Sequence, residues 1–386
     1  MTYRTRSGAA IAVALVATVL VACSPTSSGT ASCAWSSVSG ANGGVAFPDL
    51  GATYFQLPYV LTTGQQIVIH GVYPAARYFS FTTYGTDLNP IGNSADRSIS
   101  PDPGSQNPFA TVLPAGDADQ HYTVTIVDGA VPSGGGNAVS GGSGSVIVGV
   151  VTLRVYLPTD PATRSGGPLP AATLHNANGS ITSIPTCAAG TPTTGSTATN
   201  PVGLSLAVST ASPPVFVRQT GASLFPNPDN AYLAAAADWT PGTVIAVTGT
   251  APTFPDTRHG VSPAQSSDVR YWSMCTNTDV LPFPVVECAP DDSVPLDGAG
   301  HYTFVISTPA DRPTTADAAH GVTWLPWGAT THPLVMILRN MLPSSSFTQA
   351  VQDVPPGQPA TVAMGQYAPT ATVTTAAAFD AAAGTG

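Results

Sequence analysis

The sequence predicts an all-β protein made of two tandem β-sandwich domains, jelly-roll-like and duplicated from one another. Three observations lead there. Gly and Pro number 38 each while charged residues are only 8% of the chain, far below the usual quarter, a composition that favours strands and turns over helices. Short apolar stretches alternate with period two between Pro, Gly and Asp turns. Four segments of the first half return in the same order in the second.

Those segments can be paired directly. GQQIVIHG at 64–71 answers GTVIAVTG at 242–249, and Arg77-Tyr78-Phe79-Ser80 answers Arg270-Tyr271-Trp272-Ser273. His121-Tyr122-Thr123 returns as His301-Tyr302-Thr303, and Leu153-Arg154 before Leu157-Pro158 returns as Leu338-Arg339 before Leu342-Pro343. Two domains follow, 33–189 and 202–367, joined by a Thr/Pro/Gly linker at 190–201 with no apolar periodicity. The Ala/Thr stretch 368–386 reads as a disordered tail. In 151–157, Val151, Leu153, Val155 and Leu157 share one face and Thr152, Arg154 and Tyr156 the other. The HYT segment puts Tyr122, Val124 and Ile126 on the apolar side and His121, Thr123 and Thr125 opposite. Short helical turns are expected near 230–237 and 344–352.

Residues 1–22 read as an export signal: Arg4 and Arg6, an apolar run, then Leu20-Val21-Ala22 before Cys23. That run is shorter than the roughly 18 to 20 residues of a membrane span. It resembles a bacterial lipoprotein signal, which implies lipidation of Cys23 and a tether at 23–32. The expected place is outside the cytoplasm, on the outer face of the cell membrane, held by the acyl chains. The absence of lysine beside 11 Arg suits a high-GC bacterium. A net charge of −10 argues against nucleic acid and anionic surfaces as partners.

Four further cysteines, Cys33, Cys187, Cys275 and Cys288, are an even number in an exported chain and favour two disulfides. Three connectivities are open. The expected one joins Cys275 to Cys288 across a short loop, a closure worth about 3 kcal/mol, and Cys33 to Cys187 across the ends of the first domain.

The stretches YPAARYFSFTTYG, ISPDPGSQNPF and HYTVTI, with APTFPDTRHG, RYWSMC, HYTFVIS, WLPWG and LRNMLP, resemble an uncharacterised family of exported bacterial lipoproteins with a duplicated β-sandwich domain. The resemblance covers most of both halves. It implies the duplicated architecture and no catalytic residues.

Strong catalytic motifs are missing: no Gly-x-Ser-x-Gly, no His-Glu-x-x-His and no Walker loop. Asp117-x-Asp119-x-His121 has metal-ligand types, but the second copy keeps only turn chemistry there, so no metal and no other cofactor is assigned. Recurring Arg77, Arg270, Arg154 and Arg339 read first as structural clamps. The copies differ most in loops. The second carries TAPTFPDTRHGVSPAQSSDV and ADRPTTADAAHGVTWLPWGATTHP where the first has VYPAA and a Gly/Ser run. Candidate ligand-binding residues are therefore Asp256, Arg258, His259, Arg270, Trp272, His320, Trp324 and Trp327. The expectation is a non-catalytic binding or assembly module, its partner an envelope glycan, an apolar small molecule or an envelope protein. The alternative is an extracytoplasmic hydrolase drawing on Asp256, His259 and His320 or His332, with a serine such as Ser262.

Overall fold

The computed structural model describes residues 33–38, 47–114, 120–131, 136–188, 209–220, 225–280 and 283–383. The export signal, Cys23, the tether and the linker 190–201 lie outside the described residues. In the first repeat the strands are β1 (Ser36–Val38), β2 (Ala52–Thr62), β3 (Gln66–Val72), β4 (Ala76–Tyr84), β5 (Pro90–Ala95), β6 (His121–Val127), β7 (Ala138–Ser140), β8 (Val146–Pro158), β9 (Ala171–His175) and β10 (Ile181–Ile184). The second has β11 (Val217–Arg218), β12 (Asn230–Ala237), β13 (Val244–Thr250), β14 (Tyr271–Thr278), β15 (Val285–Pro290), β16 (His301–Ser307), β17 (Thr323–Pro326), β18 (Leu334–Met341) and β19 (Thr370–Thr374), followed by the helix α1 (Ala376–Ala383).

These strands form four sheets, two to a repeat: β1-β2-β8-β4-β5 and β10-β9-β3-β6-β7, then β11-β12-β18-β14-β15 and β17-β16-β13-β19. The orders correspond except that β10 has no counterpart in the four-stranded sheet, and each repeat has one parallel strand pair, β6 with β7 and β16 with β17. The fold is thus all-β, a tandem pair of duplicated sandwiches. Each repeat closes over its own apolar core, Phe55, Leu57, Phe79, Phe81, Tyr122, Val124 and Leu153 in the first, Leu233, Val247, Trp272, Met274, Tyr302, Phe304 and Leu338 in the second. The HYT tyrosines point into these cores and crowd a glycine on the neighbouring strand. A Cβ at Gly71 would meet the Tyr122 hydroxyl at 2.6 Å, and Gly249 stands in the same relation to Tyr302. That close approach explains why HG and TG recur one strand away.

Both expected disulfides are formed. Cys33 and Cys187 tie the edge of the first repeat to its end with Cα atoms 4.9 Å apart, and Cys275 bonds Cys288, its direct partner across β14 and β15.

Two expectations fail. The Ala-rich segment 230–237 is the strand β12, paired along its length with β18. Alanine's helix preference amounts to tenths of a kcal/mol per residue and yields to burial between two layers. The stretch 368–386 is not a disordered tail through its described part. Residues 370–374 form β19, hydrogen-bonded to β13 in the place β9 holds beside β3, so the last strand completes the sheet and covers what would be a bare edge. Helix α1 then packs Ala376 and Phe379 over Val244, Val305, Ala316, Val322 and Trp324 on the outer face of that sheet.

The two repeats meet face to face through the sheets containing β4 and β14. Every residue of β4, β14 and β18 is buried, because one face looks into its own sandwich and the other onto the partner repeat. The contacts are reciprocal. Arg77 pairs with Asp291 at 2.9 Å and Arg270 with Asp96 at 2.8 Å. The Tyr78 hydroxyl donates to Asp229 at 2.6 Å and the Tyr271 hydroxyl to Asp49 at 3.0 Å. Arg154 donates to the Phe225 carbonyl at 2.9 Å and Arg339 to the Phe47 carbonyl at 2.7 Å. Exchange of equivalent residues across an interface is the mark of a twofold-related pair, here carried within one chain.

Candidate functional site

The loop residues singled out in the sequence do not gather into one site. Three of them belong to the clamp between the repeats. Arg270, buried, holds Asp96 and the Arg77 carbonyl. Asp256 lies 3.9 Å from Arg77 and accepts from His259 at 2.7 Å, while its neighbour Thr257 accepts from Arg77 Nε at 3.1 Å. Arg258 reaches into the first repeat to donate to the Pro158 carbonyl at 3.3 Å, and within its own repeat it donates to Asp292 at 3.3 Å. The long insertion before β14 therefore fastens one sandwich to the other.

Two tryptophans are core. Trp272 is 0% exposed against Tyr302 and Phe304, and Trp327 is 1% exposed, so neither offers a ring to a ligand. Trp324 is half-buried: its indole N–H donates to Ser307 at 3.0 Å, and the Arg312 guanidinium lies 4.5 Å from its ring centre. Its free face is thereby already engaged.

The histidines close on near neighbours. His259 bonds Asp256, His301 bonds Asp297 at 2.9 Å, and His320 bonds Asp317 at 2.8 Å, each within a turn and each exposed. Three donors, the Ala299 and His301 amides and the His301 ring, hold Asp297 down at about 2, the His301 amide first among them. The Ser262 hydroxyl oxygen accepts from the Ala264 amide. The contacts that define a serine triad are thus not drawn together around His259, and His320 has Asp317, not Asp256, as its partner.

Burial governs the electrostatics of the clamp. Desolvation pushes Asp291 up to about 7 against the pull of Arg77, and Asp96 up to about 6 against Arg270. The tyrosine hydroxyls of the interface, Tyr78 and Tyr271, are likewise raised, first by burial and then by Asp229 and Asp49 respectively. Asp49 lies near Cys275 and Cys288, but those two sulfurs are bonded to each other and present no thiolate for a metal.

Sequence reasoning missed half of this clamp. Asp96 and Asp291 open short 3-10 turns after β5 and β15, the strands paired with the RYFS and RYWS strands. Phe47-Pro48 and Phe225-Pro226 precede β2 and β12, and both phenylalanines take positive φ, 57° and 50°. The repeated dipeptide was the available signal; its carbonyl's partner, on the other repeat, was not.

It also undervalued the first repeat. Aligning Asp102 with Asp297 shows that the first copy has a long insertion, 103–120, just before its HYT strand, where the second has a short turn. Beside that insertion, on the outer face of β3 and β6, His70 and His121 stand parallel within 3°, ring centres 5.4 Å apart. Asp102 lies 3.3 Å from His70 Nδ1 and accepts from the Thr123 hydroxyl at 3.1 Å. Elsewhere in the first repeat, a cleft lined by Val72, Pro74, Phe79, Tyr122 and Pro170 is about 10 Å³, the scale of one water.

Architecture and contacts together define a class: a two-repeat β-sandwich protein whose repeats are locked by reciprocal buried ion pairs. Among solved structures the chain is similar to an uncharacterised protein from Burkholderia cenocepacia, with a TM-score of 0.54 at 14% identity over 94% of this chain and 87% of that one, a likeness of fold. The VPA0106 protein from Vibrio parahaemolyticus aligns over 83% of this chain and 88% of that one at 10% identity with a TM-score of 0.40. No protein-family model and no curated protein matches the chain.

Proposed function

We propose that the protein is a lipid-anchored component of the cell envelope that acts as a non-catalytic binding and assembly module. Its anchor is Cys23, and its two sandwiches form one stiff unit that presents a surface to another envelope protein. The observation that carries this reading is the fate of the chemistry-bearing side chains of the second repeat. Arg270, Asp256 and Arg258 fasten the repeats together, and Trp272 and Trp327 fill the core. The surface left for a partner is the outer face of β3 and β6 in the first repeat, where Val68, His70, Thr123 and Thr125 are partly or fully exposed. Two disulfides and the lack, among the described residues, of a helix able to cross a membrane are compatible with a place outside the cytoplasm.

Fractionation paired with activity assays tests both parts. Cys23→Ala is expected to move the protein from the membrane to the soluble fraction, and the wild-type chain is expected to turn over none of a panel of ester, amide and glycoside substrates. A Cys23→Ala protein that stays in the membrane would overturn the anchor. Turnover lost on His259→Ala or His320→Ala would establish the hydrolase instead.

A further inference from the structure

We propose that the protein stands on the lipid bilayer by one end of its first repeat, the end where β2 turns into β3, β7 into β8 and β9 into β10, with apolar side chains of that end entering the interfacial layer of the membrane. This rests on the anchored reading above and names the part of the fold that meets the lipid.

Strand register collects these turns. Thr62 pairs with Val146, Gln66 with both Val127 and His175, and His175 with Ile181. Here β2 and β8 run on beyond the rows of their sheet that are covered. Val150, paired with Tyr84, is 3% exposed, whereas Val148 is 38% and Val146 59% exposed on the same strand face. Val148 stands directly opposite Val60, so the uncovered rows of both strands are apolar. On the other sheet Ile181 is 62% exposed. Ile91 follows Pro90, the residue paired with Tyr84, and Val131 follows the bridge between Gly129 and Gly142; both are exposed. Of the twelve exposed large apolar side chains among the described residues, Ile91, Val131, Val146, Val148 and Ile181 gather at this one end. Single exposed apolar residues need no explanation, but a group of them marks a surface that meets protein or membrane.

Charge and the anchor decide for membrane. Residues 62–66, 85–91, 127–131, 136–148 and 175–181 contain no arginine and two carboxylates, Asp87 and Asp128. Both already accept hydrogen bonds, Asp87 from the Asn89 amide at 3.1 Å and Asp128 from the Gly64 amide at 3.4 Å. The opposite end of the same repeat carries Asp96, Arg97, Asp102, Asp160 and Arg164. Taking an ion out of water is costly, so the end that faces lipid is the one with fewer of them. With no basic residue there, contact comes from apolar burial and not from attraction to anionic headgroups.

The chain enters the fold from this same end. In the pair of β1 with β2, Ser36 lies opposite Gln56 and Val38 opposite Tyr54, so β1 runs away from the Thr62 turn and the residues before it lie toward that turn. A parallel bridge between Ala34 and Thr186 continues the direction back to Cys33. Cys23 and Cys33 are ten residues apart in the sequence, a reach of at most about 35 Å. A lipid on Cys23 therefore keeps this end close to the bilayer. Strands standing upright on the membrane turn the outer face of β3 and β6 sideways, within reach of a neighbouring envelope protein.

Quenching of tryptophan fluorescence by brominated lipid tests the orientation. The full mature chain, with an N-terminal His tag in place of Cys23, is held on vesicles of phosphatidylcholine and a nickel-chelating lipid, part of the phosphatidylcholine being brominated near the glycerol end of its acyl chains. Val146→Trp is expected to be quenched at least about 2-fold more than Ala162→Trp, an exposed position at the opposite end, and adding Val148→Asp is expected to remove about half of that quenching. Circular dichroism confirms the fold of each variant. Equal quenching of the two tryptophans, or none of either, would overturn the proposal. Because the tag holds the chain to the vesicle, that result leaves acylation of Cys23 standing, and a Cys23→Ala protein that stays in the cell membrane overturns the acyl anchor without altering the vesicle result.

Discussion

In the first repeat the outer sheet face carries Val68, His70, Thr123 and Thr125 at or near the surface. In the second the equivalent positions are Ala246, Thr248, Thr303 and Val305, and Ala246 and Val305 are buried. Over Val305 lie Ala316, Val322 and Trp324 together with α1, which is fixed there by Asp380 accepting from the Thr314 and Thr315 amides at 3.0 and 2.9 Å. The opposite sheets show no such divergence: each repeat buries its β4- or β14-containing face against the other by the same reciprocal bonds. A duplicated domain can thus keep the face on which its copies depend and let the other diverge, one copy covering it and one leaving it open.

The shared face can be broken first, and there the largest effects are expected. Removing one partner of a buried ion pair strands the other charge, at a cost of about 3–5 kcal/mol. Arg77→Ala and Arg270→Ala should therefore each destabilise by that amount in urea unfolding, and by similar amounts, since Arg77–Asp291 and Arg270–Asp96 are counterparts. A large inequality between them would show that the interface has lost its symmetry.

The same pairs predict a pH dependence. Burial holds Asp291 at about 7 and Asp96 at about 6 when folded, against 3.8 for an unperturbed carboxyl. Between about pH 4 and 7 the folded chain keeps protons that the unfolded chain has released, so these groups favour folding fully below about pH 4 and lose that contribution as pH rises through 6 to 7. Urea unfolding across this window should show the decline, and Asp291→Asn should flatten it. A stability that instead rises with pH would mean that Arg77 outweighs desolvation.

The covered face offers a smaller effect. Ending the chain at Thr374 removes α1 and uncovers part of the cluster of Val244, Val305, Ala316, Val322 and Trp324, a loss of about 2 kcal/mol. Hydrogen exchange should quicken in β13 and β16 and stay unchanged in β3 and β6. On the open face the smallest change is expected. His70→Ala should shift stability by less than about 0.5 kcal/mol, as for an exposed substitution, with thermal unfolding as the measurement.

Much of this architecture was legible in the sequence. Period-two alternation named the strands, the repeated RYFS/RYWS and HYT segments named the duplication, and the cysteine count with its spacing pointed to both disulfides. Legibility ended where a residue's partner lies on the other repeat. Thr152, Arg154 and Tyr156 alternate as a solvated strand face would, and only the facing sheet shows them buried at 2% or less. The loaded loops of the second repeat looked like ligand loops because Arg, Asp, His and Trp serve recognition and clamping equally well.

By itself, then, the sequence determined what local pattern can encode: which segments extend, which side of each strand is apolar, and that one unit is present twice. Tertiary structure decided how the two units face each other, that an Ala/Thr terminus becomes a strand and a covering helix, and that Asp102 comes to lie beside His70. Each of those outcomes depends on contacts between segments far apart in the chain, whose free energy no short window of sequence contains.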